Sequence, residues 1–101
     1  MLNVERKLVT IITESALETE ICELLESLSA SGYTVTNAHG SGSRGIRSAG
    51  WSASSNVRIE VVCSPELATQ IATIVSEKYY DDYAMILFEH DVRVLRSGKF
   101  S

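Results

Sequence analysis

Several residue types are scarce in this chain, and each scarcity closes a route. Its 101 residues include one proline, two cysteines, two histidines and one tryptophan. Cys22 and Cys63 stand too far apart, and are too few, for a zinc knuckle or a redox pair, so they read as free thiols of a reducing compartment. His39 and His90 have no carboxylate or cysteine at ligand spacing, so neither points to a metal. Basic residues are the minority charge: nine Lys plus Arg against thirteen Asp plus Glu give a net charge of −4. That excludes wholesale binding of nucleic acid and leaves a local phosphate site open. No apolar run reaches the roughly 18–20 residues of a membrane span. The first residues lack a signal-peptide pattern, so a cytoplasmic protein is expected. The length suits one domain across 1–101. A chain this short buries only about 60–65% of its unfolded surface by itself, which makes self-assembly an early expectation.

What is present reads as two similar units. Residues 7–13 (KLVTIIT) are apolar and β-branched and predict a strand, with Leu8, Thr10 and Ile12 on one face and Val9 and Ile11 on the other. A helix follows, its stripe formed by Leu17, Ile21, Leu24, Leu25 and Leu28, with Ser15 as its cap and Gly32 as its stop. Glu18, Glu20, Glu23 and Glu26 lie on the opposite, solvated face. Residues 33–38 form a second strand. From 39 to 56, ten of eighteen residues are Gly or Ser, which predicts a long flexible loop. Strand three is 57–63, alternating through Val57, Ile59, Val61 and Cys63. Ser64 and Pro65 open a second helix as N-cap and N1. Leu67, Ile71, Ile74, Val75 and Lys78 run along it, widened by Ala68, Ala72 and Tyr79. Asp81 and Asp82 make a turn into strand four, 83–89. A tight turn at His90 and Asp91 then leads to a short extra strand, VRVL.

The order β-α-β, long loop, β-α-β within about 100 residues predicts an α+β, ferredoxin-like βαββαβ sandwich with a short extra C-terminal strand. Helices cover one face of such a sheet. Strands one and four nonetheless carry apolar residues on both faces: Leu8 and Ile12 beside Val9 and Ile11, and Ile86 and Phe88 beside Met85 and Leu87. The second face requires a cover that a small monomer lacks, which predicts a homo-oligomer packed through its sheets.

The sharpest local signal is GSGSRG, 40–45. Its glycines admit backbone conformations that aim successive N–H groups at one anion, and Arg44 adds a charge-assisted clamp. It is neither a Walker A loop nor a dinucleotide fingerprint, because no Gly-Lys-Ser/Thr ending and no helix follow. Both a phosphate cradle and a plain connector fit the pattern. Glu60, in mid-strand, is either a rim residue or an acceptor for a ligand. Trp51 is either an exposed loop residue or a contact anchor. Arg93, Arg96 and Lys99 make the end of the chain basic, as a solvated tail or as a second grip on phosphate.

The stretch GYTVTNAHGSGSRGIRSAG (32–50), followed by a βαβ unit ending in SEKYYDDYAMILFEHDVRVL, resembles the PII-like signalling proteins, most of all their cyanobacterial and carboxysome-associated, bicarbonate-linked branch. The resemblance covers about residues 7–96. It implies a homotrimer with adenine nucleotides in the clefts between subunits, and it makes 39–56 a T-loop that changes shape with ligand and engages a partner. Carried over by position, Gly40, Gly42, Ser43 and Arg44 approach the phosphates. Thr34, Val35 and Thr36, with Ile11 at the end of strand one, line one side of the base or ribose. The neighbouring subunit brings Glu60, Val62, Tyr83, Ala84 and Met85. Arg96, in RSGK, matches the last arginine of a tail that grips phosphates in standard PII proteins.

The departures from the standard pattern are specific. A TGKIF-like triphosphate loop is replaced by KYYDDYA, whose aspartates repel a polyphosphate. ADP, AMP or cyclic AMP are therefore favoured over ATP with magnesium. Val94 stands where a second tail arginine is expected, and the loop has no tyrosine for uridylylation. The cysteine-bearing tail extension found in part of the bicarbonate-linked branch is missing. The resemblance implies bicarbonate as a co-ligand, with Arg44 or Arg47 as donor, and Arg47 and Trp51 as partner contacts. The implied partner is a bicarbonate transporter or another carbon-concentrating component, which would place the protein in the cytoplasm, at the membrane through that partner, or with carboxysomes. Two other readings compete with this non-enzymatic sensor. One is a slow metal-dependent nucleotide hydrolase using Asp81, Asp82 or Glu60; the other is an oligomeric adaptor without a small ligand.

Overall fold

β-Branched residues crowd the start of the chain, and they form its longest described strand. The computed structural model describes residues 4–40 and 55–95. Strand β1 is Val4–Glu14, followed by a 3-10 turn, Ser15–Leu17, and helix α1, Glu18–Ser27. Then come β2, Thr34–Ala38; β3, Asn56–Cys63; helix α2, Pro65–Tyr79; and β4, Met85–Val94. The sheet order is β2-β3-β1-β4, with every neighbouring pair antiparallel. This is the expected α+β, ferredoxin-like arrangement, with the two βαβ units interleaved so that β1 and β3 lie at the centre.

The period-two pattern places the core. Val9 and Ile11 of β1 and Val57, Ile59, Val61 and Cys63 of β3 are fully buried, and they meet Leu17, Ile21, Leu25, Leu67, Ile71, Val75 and Tyr79 from the helical layer. At roughly 1.5–3 kcal/mol for each large apolar side chain buried, this layer is the main source of stability. On the other face, Leu8 and Ile12 are half-buried and Ile86 is 54% exposed. Thr10 shares that face yet has no exposed surface. Its cross-strand partners are Glu60 and Phe88, both with longer side chains. Its hydroxyl has no hydrogen-bond partner.

Helix α2 starts as its sequence dictates: the Ser64 hydroxyl accepts the Leu67 N–H at 3.2 Å, with Pro65 at the first helical position. Helix α1 departs from expectation at both ends. Ser15 does not cap it, since a 3-10 turn leads in and no side chain caps the start. Gly32 does not stop it either. Ser29 takes the left-handed conformation at φ 67°, while the Ala30 N–H donates to the Leu25 carbonyl and the Ser29 N–H to the Glu26 carbonyl. That is a Schellman closure three residues before the glycine. The acidic face of α1 is also more than solvated. The Tyr79 hydroxyl donates to Glu20 at 2.6 Å, and the Tyr33 hydroxyl donates to Glu26.

The end of the chain needs a correction. No tight turn forms at His90 and Asp91, and VRVL is not a separate strand. β4 runs unbroken through these residues because β1 begins early enough to pair with them, Asp91 opposite Lys7 and Val92 opposite Arg6. Lys7 donates to Asp91 and lies 3.8 Å from Glu89, which raises the lysine's pKa and lowers that of Asp91. Among the described residues no helix is long and apolar enough to cross a membrane.

Candidate functional site

The long connection of 39–55 leaves and rejoins the sheet at one end. Ala38 of β2 pairs with Asn56 of β3, and Asn56 pairs in turn with Glu14 of β1. Past Glu14 lies Ala84, the residue before β4, whose N–H donates to the Glu14 carboxylate at 3.1 Å and whose carbonyl accepts from the Thr13 hydroxyl at 2.9 Å. One row of residues thus crosses the full width of the sheet, from the loop base to the turn after α2.

The expected site residues divide between the two edges. Thr34 and Thr36 are exposed on β2, on the face without helices, opposite Glu60 and Arg58. Val35 turns the other way and packs against the core. Gly40 is exposed, with open space where a side chain would stand. Glu60 and Val62 are half-buried on the helix-free face of β3. Tyr83, Ala84 and Met85 lie at the opposite edge, separated from β2 by two strands, or about 14 Å at the usual strand spacing. Within one chain Tyr83 to Met85 do not meet Thr34 and Thr36, whereas Glu60, expected from the neighbouring subunit, lies directly across from Thr34 of its own chain. Gly42, Ser43, Arg44, Arg47, Trp51 and Arg96 lie outside the described residues, and so does most of the expected flexible loop.

Two expectations shift. Ile11 is not at the end of strand one, which runs on to Glu14, and its side chain is fully buried between Ile59 and Leu87. Its side chain is part of the core. Glu60 is not an isolated acceptor, because Arg58 donates to it from Nε at 3.2 Å. Sequence reading missed Arg58 because an arginine and a glutamate two apart on one strand face give no sign of bonding to each other rather than to a ligand. It also missed Glu14: an acid ahead of a helix suggests a first-turn residue, and only the fold turns it toward Ala84.

The electrostatics offer no activated nucleophile among the described residues. Cys22 and Cys63 are free and buried. Burial pushes the Cys63 thiol up to about 11, and burial also raises Cys22. The Glu26 carboxylate beside Tyr33 holds that phenol in its neutral form, and burial with Glu20 does the same for Tyr79. Asp81 and Asp82 are exposed in the turn after α2, where the Asp82 N–H donates to the Tyr79 carbonyl. Among the described residues no group of three metal-binding side chains converges.

Known proteins share this order of strands and helices. The family model of the nitrogen regulatory protein P-II matches residues 6–99. The chain belongs to the P-II family. It is 44% identical to a PII-like signalling protein of Thermus thermophilus, over 100% of both chains, with a TM-score of 0.84. The same fold recurs in CPII, a nitrogen regulatory PII-like protein of Thiomonas intermedia solved with ADP and bicarbonate: 24% identity, 99% of this chain and 98% of that one, TM-score 0.83. Its apo form matches at 20% identity over 92% and 95%, with a TM-score of 0.75. The resemblance read from 32–50 and from the second βαβ unit therefore holds at the level of the P-II family. The chain is a regulatory protein of that family rather than an enzyme.

Proposed function

We propose that this P-II protein is a non-enzymatic sensor that binds ADP or AMP, together with bicarbonate, in clefts between copies of itself. The observation that carries this reading is the division of the candidate residues between opposite sheet edges. Thr34, Thr36, Gly40 and Arg44 belong to one half-site and Tyr83 to Met85 to another, and a second subunit is what brings an edge of each kind together. Ile11 is left out, since its side chain belongs to the core. The helix-free face, with Leu8, Ile12, Ile86 and Phe88, supplies the contact for a homotrimer packed through its sheets. CPII, solved with ADP and bicarbonate, provides a precedent for the ligand pair on this fold.

The physical logic is ordering on binding. The N–H groups of 40–45 and the Arg44 guanidinium surround a phosphate, so ligand selects one arrangement of the 39–56 loop from many. Exposed Asp81 and Asp82 disfavour a third phosphate group placed beside them, and so ATP. Arg47 and Trp51 then present the loop to a partner, a bicarbonate transporter or another carbon-concentrating component, from the cytoplasm.

The test is isothermal titration of ATP, ADP, AMP and cyclic AMP, with and without bicarbonate, on protein whose mass is measured by light scattering. Micromolar binding of ADP or AMP at about one site per subunit, tightened by bicarbonate, is the expected result. A clean oligomer that binds none of them would leave the adaptor reading in its place. Magnesium-dependent loss of nucleotide, abolished by Asp82→Ala, would favour the hydrolase.

A further inference from the structure

Glu14 is the one carboxylate among the described residues that is almost fully buried, at 6% exposed. An ionised carboxylate in such a place is expensive unless it is hydrogen-bonded. Its described partner is the backbone of Ala84, which is itself 8% exposed and would otherwise bury an unpaired N–H. Thr13 holds the same residue from the other side, through the Ala84 carbonyl. Two consecutive residues of β1 therefore grip both polar groups of a single peptide position, flanked by Tyr83 and Met85.

The same strand end also meets the point where the long connection rejoins the sheet at β3. The Ser15 N–H donates to the Ser55 carbonyl at 2.8 Å, and Glu14 faces Asn56 across the ladder. Thr13, Glu14 and Ser15 thus touch, in three successive residues, both the 83–85 segment and the point where the long connection returns. We propose that Glu14 is a positioning residue that couples these two places, so that the return of the loop at Ser55 and Asn56 and the placement of Tyr83 to Met85 are held or released together. The inference goes beyond the sensor reading above and rests on it only in the nucleotide arm of its test.

Amide hydrogen exchange on the assembled protein tests it, comparing wild type with Glu14→Ala, Glu14→Gln and Thr13→Val. The informative amides are Ala84, which Glu14 holds directly, and Ser15, which reports the loop return. Glu14→Ala is expected to speed exchange at both by tenfold or more. Glu14→Gln, whose side-chain oxygen accepts the same N–H, restores both. Thr13→Val, which cuts the grip on Ala84 from its other side, loosens Ser15 as well. Exchange that rises at Ala84 with Ser15 unchanged would overturn the coupling, and so would a glutamine variant that restores neither. Equal loosening throughout α2 would also overturn it, by showing a general loss of stability.

In the nucleotide arm, ADP binding is expected to weaken five- to tenfold in Glu14→Ala and to stay within twofold of wild type in Glu14→Gln. Wild-type protein that binds no ADP would count against the sensor reading while the exchange measurements still decide the coupling. Wild-type protein that binds ADP, with Glu14→Ala binding equally well, would count against Glu14.

Discussion

Cys63 closes the buried row of β3 with no exposed surface, and its thiol is held neutral up to about pH 11 from an ordinary value near 9. Between those values the unfolded chain gives up a proton that the folded chain keeps. Stability from this group is complete below pH 9 and is lost as pH rises toward 11, by about 2 kcal/mol over the window. Urea unfolding at pH 8 and pH 11 should show that loss in wild type, and a smaller one in Cys63→Ala. Arg44 carries the sharpest expectation at this scale. Arg44→Ala should weaken nucleotide binding by roughly 1.5–3 kcal/mol, the worth of a charge-assisted contact, and leave the assembly intact. Arg47→Ala should affect partner or anion binding more than nucleotide; an equal loss of nucleotide at both positions would contradict the division. Single residues were legible where a local rule governs them. Ser64 and Pro65 declare a helix start, and the alternation from Val57 to Cys63 declares a buried face. Glu14 and Ile11 were not legible, because their meaning depends on how far β1 runs and on what lies across the ladder; Arg58 was not, because sharing a strand face with Glu60 does not by itself announce a bond.

The elements show where local rules compete. Helix α1 could close at Gly32 by composition, yet it closes at Ser29, because Leu28 and Ala30 must fold back onto the core before the chain turns into β2. A serine there holds a conformation that glycine adopts without strain. Ser29→Gly should therefore raise stability by about 0.5–1 kcal/mol, measured as a higher urea midpoint at an unchanged slope. Strand β4 shows the opposite case. His90 and Asp91 look like turn residues in isolation, but β1 offers Leu8 and Lys7 as partners across the ladder. Pairing with a strand distant in sequence outweighs a local turn preference, and single-sequence reasoning cannot weigh the two.

For the whole molecule, the unfinished feature is the helix-free face of the sheet. Ile86 is more than half exposed there, whereas Thr10 is already sealed with its hydroxyl unpaired. A subunit built this way gains from covering that face with other copies. Ile86→Lys should leave the single chain folded, since little apolar area is withdrawn from its own core, and should lower the assembly mass measured by light scattering. An unchanged mass would place the subunit contact elsewhere. The need for an oligomer was legible in the sequence because both faces of strands one and four are apolar. The division of the candidate site between edges was not, because it follows from the order β2-β3-β1-β4.

The pairing of Ala38 with Asn56 has one more consequence. Cross-strand partners lie about 5 Å apart, so the chain between them starts and ends at nearly the same point. Closing such a loop costs free energy that grows only with the logarithm of its length, about 0.6 kcal/mol for each doubling. Residues can be inserted, deleted or exchanged between those two positions while the rest of the fold loses almost nothing. An ancestral gene could thus have tried new recognition surfaces there at little risk to folding, which makes this hairpin the natural place for related proteins to diverge in what they regulate.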